Sequence, residues 1–241
     1  NKKNRMRKTV RKLFLGKSSN GEQAEFNPIQ KRIQNIKSIW NNEHQDDNGI
    51  EKIFRLLLSS SQLLFPGIYI KYFSRKKGIE YQDLAIDSYI LLKVAFPIVI
   101  LIYQWHTIYW VVALMTYLFL ETIFYIPTLI FASDLFSRPR SYRRSMLLLF
   151  FNYLEIVLGY AVFYSCGNYL NKPFNHWFDA VYFSIITSSS IGYGDYYPAE
   201  TMGKFLVSTQ ALLFLFFIVL FLNFFSTKVK TKGYFDHDNN P

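Results

Sequence analysis

The run Ser188-Ser189-Ser190-Ile191-Gly192-Tyr193-Gly194-Asp195-Tyr196-Tyr197 holds the residue types and spacing best suited to chemistry in this chain. Its core, Ser190 to Asp195, has glycines at the alternate positions 192 and 194. Glycine reaches φ > 0 at little steric cost, so a strand built this way can turn its carbonyls toward one side. Those carbonyls, with one hydroxyl, can replace the water around a bare cation. Taken alone, Gly192-Tyr193-Gly194-Asp195 is also compatible with a surface turn. The elements around it decide between the two.

The 241 residues are 51% hydrophobic and 19% aromatic, with a formal net charge of +10. The apolar residues lie in blocks rather than at strand or helix period, unlike those of a soluble domain. Four blocks reach the ~20 residues of helix that a hydrocarbon core requires: Leu84 to Tyr103, Thr107 to Ala132, Met146 to Ser165 and Lys204 to Phe225. A shorter apolar run, Phe174 to Ser188, is too short to span and directly precedes the cation-binding run. The expected fold is an all-α membrane protein with four transmembrane helices and a re-entrant helix. The patch Val10 to Leu15 is broken by Arg11 and Lys12, so no cleavable signal peptide is expected. The single cysteine, Cys166, excludes an intrachain disulfide. The chain opens on Asn rather than Met, which leaves an upstream segment open.

Lys and Arg in short loops mark the cytoplasmic side. The loop Ser133 to Ser145 carries Arg138, Arg140, Arg143 and Arg144, whereas the link around Trp105 and His106 carries none. The link with the glycine run has only Lys172 before Lys204, and Lys228, Lys230 and Lys232 follow the last span. Four spans therefore place both termini in the cytoplasm and the glycine run outside. Ile53 to Phe73 is also apolar, but basic residues flank it on both sides and Pro66-Gly67 interrupts it. It is expected to be a broken helix at the cytoplasmic interface. Ile29, Ile33, Ile36 and Trp40 recur at helical spacing beside Lys31, Arg32 and Lys37. This suits a basic helix on an anionic leaflet, at roughly 1 kcal/mol per nearby basic residue, or equally a solvated helix packing on its own protein. Residues 1–25 are expected to be disordered and Asn41 to Asn48 to be a linker. The organisation is then 1–48, a basic cytoplasmic region with an amphipathic helix; 49–80, the interfacial broken helix; 81–132, a peripheral helix pair; 133–145, a basic cytoplasmic loop; 146–228, a pore domain; and 229–241, a short cytoplasmic tail.

Residues 146–226 form the pattern outer helix, short helix, glycine run, inner helix. This stretch, about a third of the chain, resembles the pore domain of the tetrameric potassium channel superfamily. Phe178-Asp179-Ala180-Val181-Tyr182-Phe183-Ser184 resembles the family's pore helix, and Ser190 to Asp195 its selectivity filter. Pro198, Thr201, Gly203, Lys204 and Gln210 stand at the family's positions into and along the inner helix. The resemblance implies a homotetramer around an axial pore, with K+ as the bound ion. Carbonyls of Ile191, Gly192, Tyr193 and Gly194 would form the upper cages, and the Ser190 carbonyl and hydroxyl the innermost one. The short helix would turn its negative C-terminal end toward the cavity. By the same resemblance the Tyr193 ring would pack behind the filter. Asp195 would add negative charge at the outer mouth or cap the filter backbone.

Several departures bear on mechanism. The family usually has threonine where Ser190 stands, and Ile186 occupies a position where many relatives carry a carboxylate. The lost methyl is expected to loosen packing behind the filter. No glycine hinge follows Gln210, and bulky Phe214, Phe216, Phe217, Phe221, Phe224 and Phe225 come instead. Phe214, Phe217, Phe221 and Phe225 are candidates for a hydrophobic gate, with Asn223 in the cytoplasmic vestibule. Lys93, Glu121 and Glu155 lie inside spans, about nine, eleven and nine residues from the cytoplasmic ends. At ~1.5 Å per residue these depths agree within a few ångströms. Charges at such depth normally pair, so Lys93 is expected to meet Glu155 or Glu121; pairing across subunits or a neutral, protonated glutamate is the alternative.

Other function classes have less support. The first two spans lack the arginine ladder of a voltage sensor, Lys93 being their one basic residue. No ligand-binding ring is expected after Lys228, so a regulatory protein or ligand, if one acts, is expected at the N-terminal region or the first two helices. Nucleic acid is not an expected partner, because topology accounts for the basic residues; anionic membrane lipids are. No nucleophile–base set, metal cluster or phosphate loop points to an enzyme, and His44, His106, His176 and His237 are scattered. A weakly selective cation channel and a subunit of a potassium uptake transporter remain as alternatives.

Overall fold

The computed structural model describes residues 27–42, 49–76, 78–131 and 142–229. Residues 1–25, most of the linker 41–48, Arg138 and Arg140, and Lys230 and Lys232 lie outside the described residues. Regular structure among the described residues is helical throughout: α1 Pro28–Trp40, α2 Gly49–Ser61, α3 Pro66–Arg75, α4 Ile79–Ile102, α5 Tyr109–Phe131, α6 Tyr142–Ser165, α7 Trp177–Ser188 and α8 Thr201–Val229. Four of them are long and apolar enough to cross a membrane, over Tyr81–Ile102, Tyr109–Leu129, Arg143–Ser165 and Thr201–Asn223. These agree with the blocks read from sequence to within a few residues. The protein is thus an all-α, multi-pass membrane protein. Contacts divide it into two compact units at Leu92 and Lys93, inside α4.

The first unit holds α1 to α3 and the start of α4. Pro28 opens α1 with its fixed φ, and the Asn27 Oδ1 accepts from the Ile29 and Gln30 amides at 3.0 and 3.4 Å. Helix α1 packs on α2 and α3, burying Ile39, Leu58 and Phe65. A short 3-10 turn, Gln62–Leu64, separates α2 from α3, and the two helices meet at a 61° bend. The break falls where sequence placed it, because Pro66 cannot continue α2 but is suited to start α3. Length and composition allow this bent pair to be a broken span or a re-entrant loop.

The second unit is built around α6. Half of its span is buried, against 22% for each of the other three, because α5, α7 and α8 all pack on it. Its core joins Phe119 and Ile126 of α5, Leu149, Ile156, Tyr160 and Tyr164 of α6, Phe183 of α7, and Leu206, Phe217 and Leu220 of α8. A second cluster joins Ile100, Leu101 and Met115 to Leu158, Ala161 and Val162 of α6 and Ala180 and Val181 of α7. Exposed Tyr103, Trp105, Tyr109 and Trp110 gather at the α4–α5 turn, the aromatic composition of a membrane–water interface.

The Phe119 ring of α5 packs directly on Gly159 of α6. A Cβ there would lie 2.6 Å from the Phe119 ring, far inside van der Waals contact. Gly159→Val is therefore expected to destabilise the fold by about 1–3 kcal/mol. Adding Phe119→Ala should recover part of that loss in thermal unfolding of the detergent-solubilised protein. An unchanged unfolding midpoint in the single variant would show that the contact is not tight.

Candidate functional site: the pore helix and filter loop

Helix α7 starts at Trp177, three residues later than the apolar run beginning at Phe174 suggests. Its capping explains the difference. The His176 Nδ1 accepts from the Phe178 amide at 3.2 Å. The Asp179 carboxylate accepts from the Asn175 and His176 amides, each at 2.9 Å. Those amides are bound by a side chain within the first turn and cannot extend the helix.

After Ser188 the chain leaves the helix through a tight turn. The Ser189 amide bonds the Ile185 carbonyl at 2.9 Å, Ser190 bonds Thr187 at 3.2 Å, and Ile191 bonds Ile186 at 3.0 Å. The Ser188 and Ser189 hydroxyls also donate back to the Ile185 carbonyl, at 2.9 and 2.8 Å. Next comes the alternation that the glycines allow: φ is +58° at Ser190, +57° at Gly192 and +82° at Gly194, with Ile191 and Tyr193 between them outside the positive region. Among the described residues, no donor reaches the carbonyls of Ser190, Ile191, Gly192, Tyr193 or Gly194. A strand of alternating handedness with open carbonyls can offer oxygens to a cation. The Ile191 and Tyr193 side chains are 53% and 71% exposed. The Tyr193 ring does not pack on its own chain's loop.

The strand beyond the loop is pinned from two sides. The Tyr182 hydroxyl of α7 and the Asp195 carboxylate interact electrostatically, and Ile186 supplies no carboxylate there. The Tyr196 hydroxyl likewise interacts electrostatically with Asp179, and the Lys172 ammonium sits 4.4 Å above the Tyr196 ring. Asn171 exchanges bonds with the same strand: its amide donates to the Tyr197 carbonyl, its Oδ1 accepts from the Tyr197 amide, both at 3.0 Å, and its Nδ2 donates to the Asp195 carbonyl at 3.3 Å. The Tyr169 carbonyl accepts from Ala199 and Glu200. A Cβ at Gly203 would lie 2.5 Å from that carbonyl, so glycine is needed for α8 to start so close to it.

Helix α7 is fastened to α6 and α8 by a buried polar network. Gln210 of α8 donates from Nε2 to the Ser184 carbonyl at 2.9 Å and to the Ser184 Oγ at 2.8 Å. Its Oε1 accepts from the Tyr164 hydroxyl at 2.7 Å. The Ser184 hydroxyl donates to the Val157 carbonyl at 2.6 Å. On the same side of α6, the Tyr160 hydroxyl reaches Thr209 at 2.9 Å and the Tyr153 hydroxyl reaches Ser188 at 3.1 Å. Sequence reading missed Tyr153, Tyr160, Tyr164 and Tyr182. Three of them recur at intervals of seven and four along one spanning helix, the spacing of a single helix face.

The residues proposed from sequence for a gate separate into two groups. Phe217 is 1% exposed and meets the Tyr153 ring edge-on at 5.2 Å. Phe214 is half-buried, 6.1 Å from the same ring, and Phe221 packs on the core. These three face the chain's own helices. Asn223 is exposed, and the Phe224 and Phe225 side chains lie outside the described residues. From Ser208 onward, the exposed residues of α8 are instead Ser208, Leu212, Leu215, Ile218, Val219, Leu222 and Asn223. The intramembrane charges do come together. The Lys93 ammonium lies 3.2 Å from Glu155 and 3.5 Å from Glu121, within one chain. The Thr122 hydroxyl accepts from Lys93 at 2.5 Å and donates to Glu155 at 2.8 Å.

A re-entrant helix and open-carbonyl loop between two spanning helices define the class of a pore-loop membrane protein. The family model described as an ion channel matches residues 151–231, in accord with the resemblance to the potassium channel superfamily. No curated protein and no solved structure matches the chain.

Replacing Gln210 with Leu keeps the side chain's bulk but strands the Tyr164 hydroxyl and removes the hold on Ser184. An unsatisfied buried group costs about 1–3 kcal/mol. Gln210→Leu is expected to lower the unfolding midpoint, and Gln210→Leu with Tyr164→Phe to lower it less than Gln210→Leu alone. Additive losses would place the two residues outside a common network.

Proposed function

We propose that the protein is a potassium-selective channel formed by four copies of this chain. The observation that carries the reading is the alternation of positive φ at Ser190, Gly192 and Gly194 beside carbonyls that no donor reaches among the described residues. One chain supplies one strand of oxygens, and a closed cage needs several strands around an axis. The exposure of Ile191 and Tyr193 supports the same conclusion, since a neighbouring copy can cover both. K+ would bind at Ser190, Ile191, Gly192 and Tyr193, with Gly194 completing the outermost cage and Asp195 at the outer mouth. Helix α7 directs its C-terminal dipole toward the inner end of the strand, which favours a cation there.

In this reading exposed residues of α8 line the inner cavity. Leu215, Val219 and Leu222, rather than Phe214, Phe217 and Phe221, form the apolar constriction that could dewet, with Asn223 at its cytoplasmic end. The charge pattern supports cytoplasmic termini, an outward-facing filter and anionic lipids against the basic N-terminal region. Gating through an arginine-ladder sensor has no support in the spans.

Flux from liposomes holding the purified protein tests this. Potassium should pass and sodium should be largely excluded, with reversal potentials in mixed salts giving the ratio. Gly194→Ala should remove discrimination, because φ of +82° costs an L-residue about 1–2 kcal/mol in every copy. Ser190→Ala should weaken barium block at the innermost site while leaving the oligomer intact. Equal sodium and potassium flux in the unaltered protein would favour the weakly selective channel instead.

A further inference from the structure

A cavity of about 560 Å³ opens in the second unit, where the turn after α4 meets the end of α6 and the link into α7. Small-molecule sites run to roughly 300–1,000 Å³. The wall has two characters. Leu101, Phe174 and Trp177 give it an apolar part, and Gln104, Asn168, Lys172 and Asn175 a polar one. No carboxylate borders it, and the Asp179 carboxylate at the start of α7 is taken up by the Asn175 and His176 amides. Lys172 brings a positive charge and three N–H donors, held in place 4.4 Å above the Tyr196 ring. The His176 Nδ1 accepts from the Phe178 amide, so the proton of the neutral ring lies on Nε2 and adds a donor. The His106 Nδ1 is buried, and no hydrogen bond reaches it among the described residues. A buried polar atom left unpaired costs stability, so a bound group or water that bonds it is favoured. Among the described residues no three His, Cys, Asp or Glu side chains gather as a metal site. A wall of donors without carboxylates suits an anion and disfavours a cation. An anion alone would leave the apolar wall wet, and an apolar body alone would leave the donors unpaired. Tyr103 and Trp105, exposed at the same turn, have the composition of a membrane–water interface, where amphiphiles concentrate.

We propose that this cavity binds an anionic amphiphile, a molecule that joins a phosphate or carboxylate group to an apolar chain. The headgroup bonds Lys172, Asn168 and Asn175, and the chain lies on Phe174 and Trp177. This chemistry has two sources, a lipid headgroup of the surrounding leaflet or a soluble molecule. Asn171 also borders the cavity, and its side chain bonds the Tyr197 amide and the Asp195 carbonyl just beyond the open-carbonyl loop. An occupant therefore touches a residue that pins that strand. The site requires nothing of the ion path.

The chain's single cysteine gives the site its own reporter. Cys166 borders the cavity, is free and exposed, and its Sγ lies 3.8 Å from the His106 carbonyl. Maleimide labelling of Cys166 is followed on the whole chain in phosphatidylcholine nanodiscs, with octyl phosphate as the probe. Labelling should slow about tenfold at roughly ten times the half-protecting concentration, as mass action requires. Octyl glucoside, with the same chain and no charge, should protect far less, as should inorganic phosphate, with the charge and no chain. K172M and N168D should each raise the half-protecting concentration severalfold. Slow labelling in phosphatidylglycerol discs without added probe assigns a lipid headgroup as the source. Fast labelling there, with protection by octyl phosphate, assigns a soluble ligand. No protection by octyl phosphate together with equal labelling in the two kinds of disc overturns the proposal. Equal protection by octyl glucoside or by inorganic phosphate also overturns it, as does protection unchanged in both variants. If the thiol resists labelling or a variant fails to fold, equilibrium binding of radiolabelled octyl phosphate to the unaltered protein decides. Saturable binding that octyl glucoside does not displace supports the site, and its absence overturns it. A silent channel with Cys166 protected leaves the site standing.

Discussion

The position of the open-carbonyl loop depends on how one amide is satisfied. Gln210 lies within a spanning helix, 1% exposed, where neither water nor lipid tails can bond it. Its two donors go to Ser184 and its acceptor takes the Tyr164 proton, so one side chain of α8 fixes both the pore helix and the outer helix. Hydrophobic burial gives little direction to helix packing in a bilayer, where lipid tails are as apolar as leucine. Directional bonds supply what burial cannot. Ser184 extends the network to Val157, which locks α7 in rotation as well as in depth. With α7 fixed, the turn at Ser189 and Ser190 emerges at a set point.

Helix α6 serves two partners from two faces. Tyr153, Tyr160 and Tyr164 point their hydroxyls toward α7 and α8. Glu155 and Gly159 face the peripheral pair, one through Lys93 and Thr122, the other through the Phe119 ring. The outer helix is therefore held by polar bonds on both sides. A shift of α5 that breaks the Glu155 contacts reaches the same helix whose tyrosines hold α7, from which the open-carbonyl loop emerges. The two faces are linked by rigid backbone, so no chain of side chains between them is required.

The spans were legible from apolar blocks because a hydrocarbon core sets helix length. The pairing of Lys93 with the glutamates was legible from depth, since few partners exist inside a membrane. The face of α8 was not. In a soluble helix, polar residues mark the outer side, but α8 is apolar all round, so lipid, cavity and core positions look alike in sequence. Phe217 and Leu215 differ in placement without differing in hydrophobic character. The start of α7 was misjudged for a related reason: apolar Phe174 extends the run, while the polar cap at His176 and Asp179 decides the boundary. Tyr182 illustrates a third limit. Its electrostatic interaction with Asp195 joins residues on either side of the glycine turn, and no local pattern announces it.

Ser190 takes on a different meaning once its backbone is known. Read as a departure from threonine, it implies a lost methyl and looser packing. Its φ of +58° places it where a β-branched residue is a genuine outlier and where short polar residues are tolerated best. Serine keeps the hydroxyl and avoids the second γ substituent in that conformation. Its neighbours separate the remaining roles. The Ser188 and Ser189 hydroxyls are engaged with the Ile185 carbonyl at the end of α7, which closes the helix. The Ser190 hydroxyl, one residue further on, has no such engagement among the described residues. The three consecutive serines thus divide into two that finish the pore helix and one that begins the strand of open carbonyls.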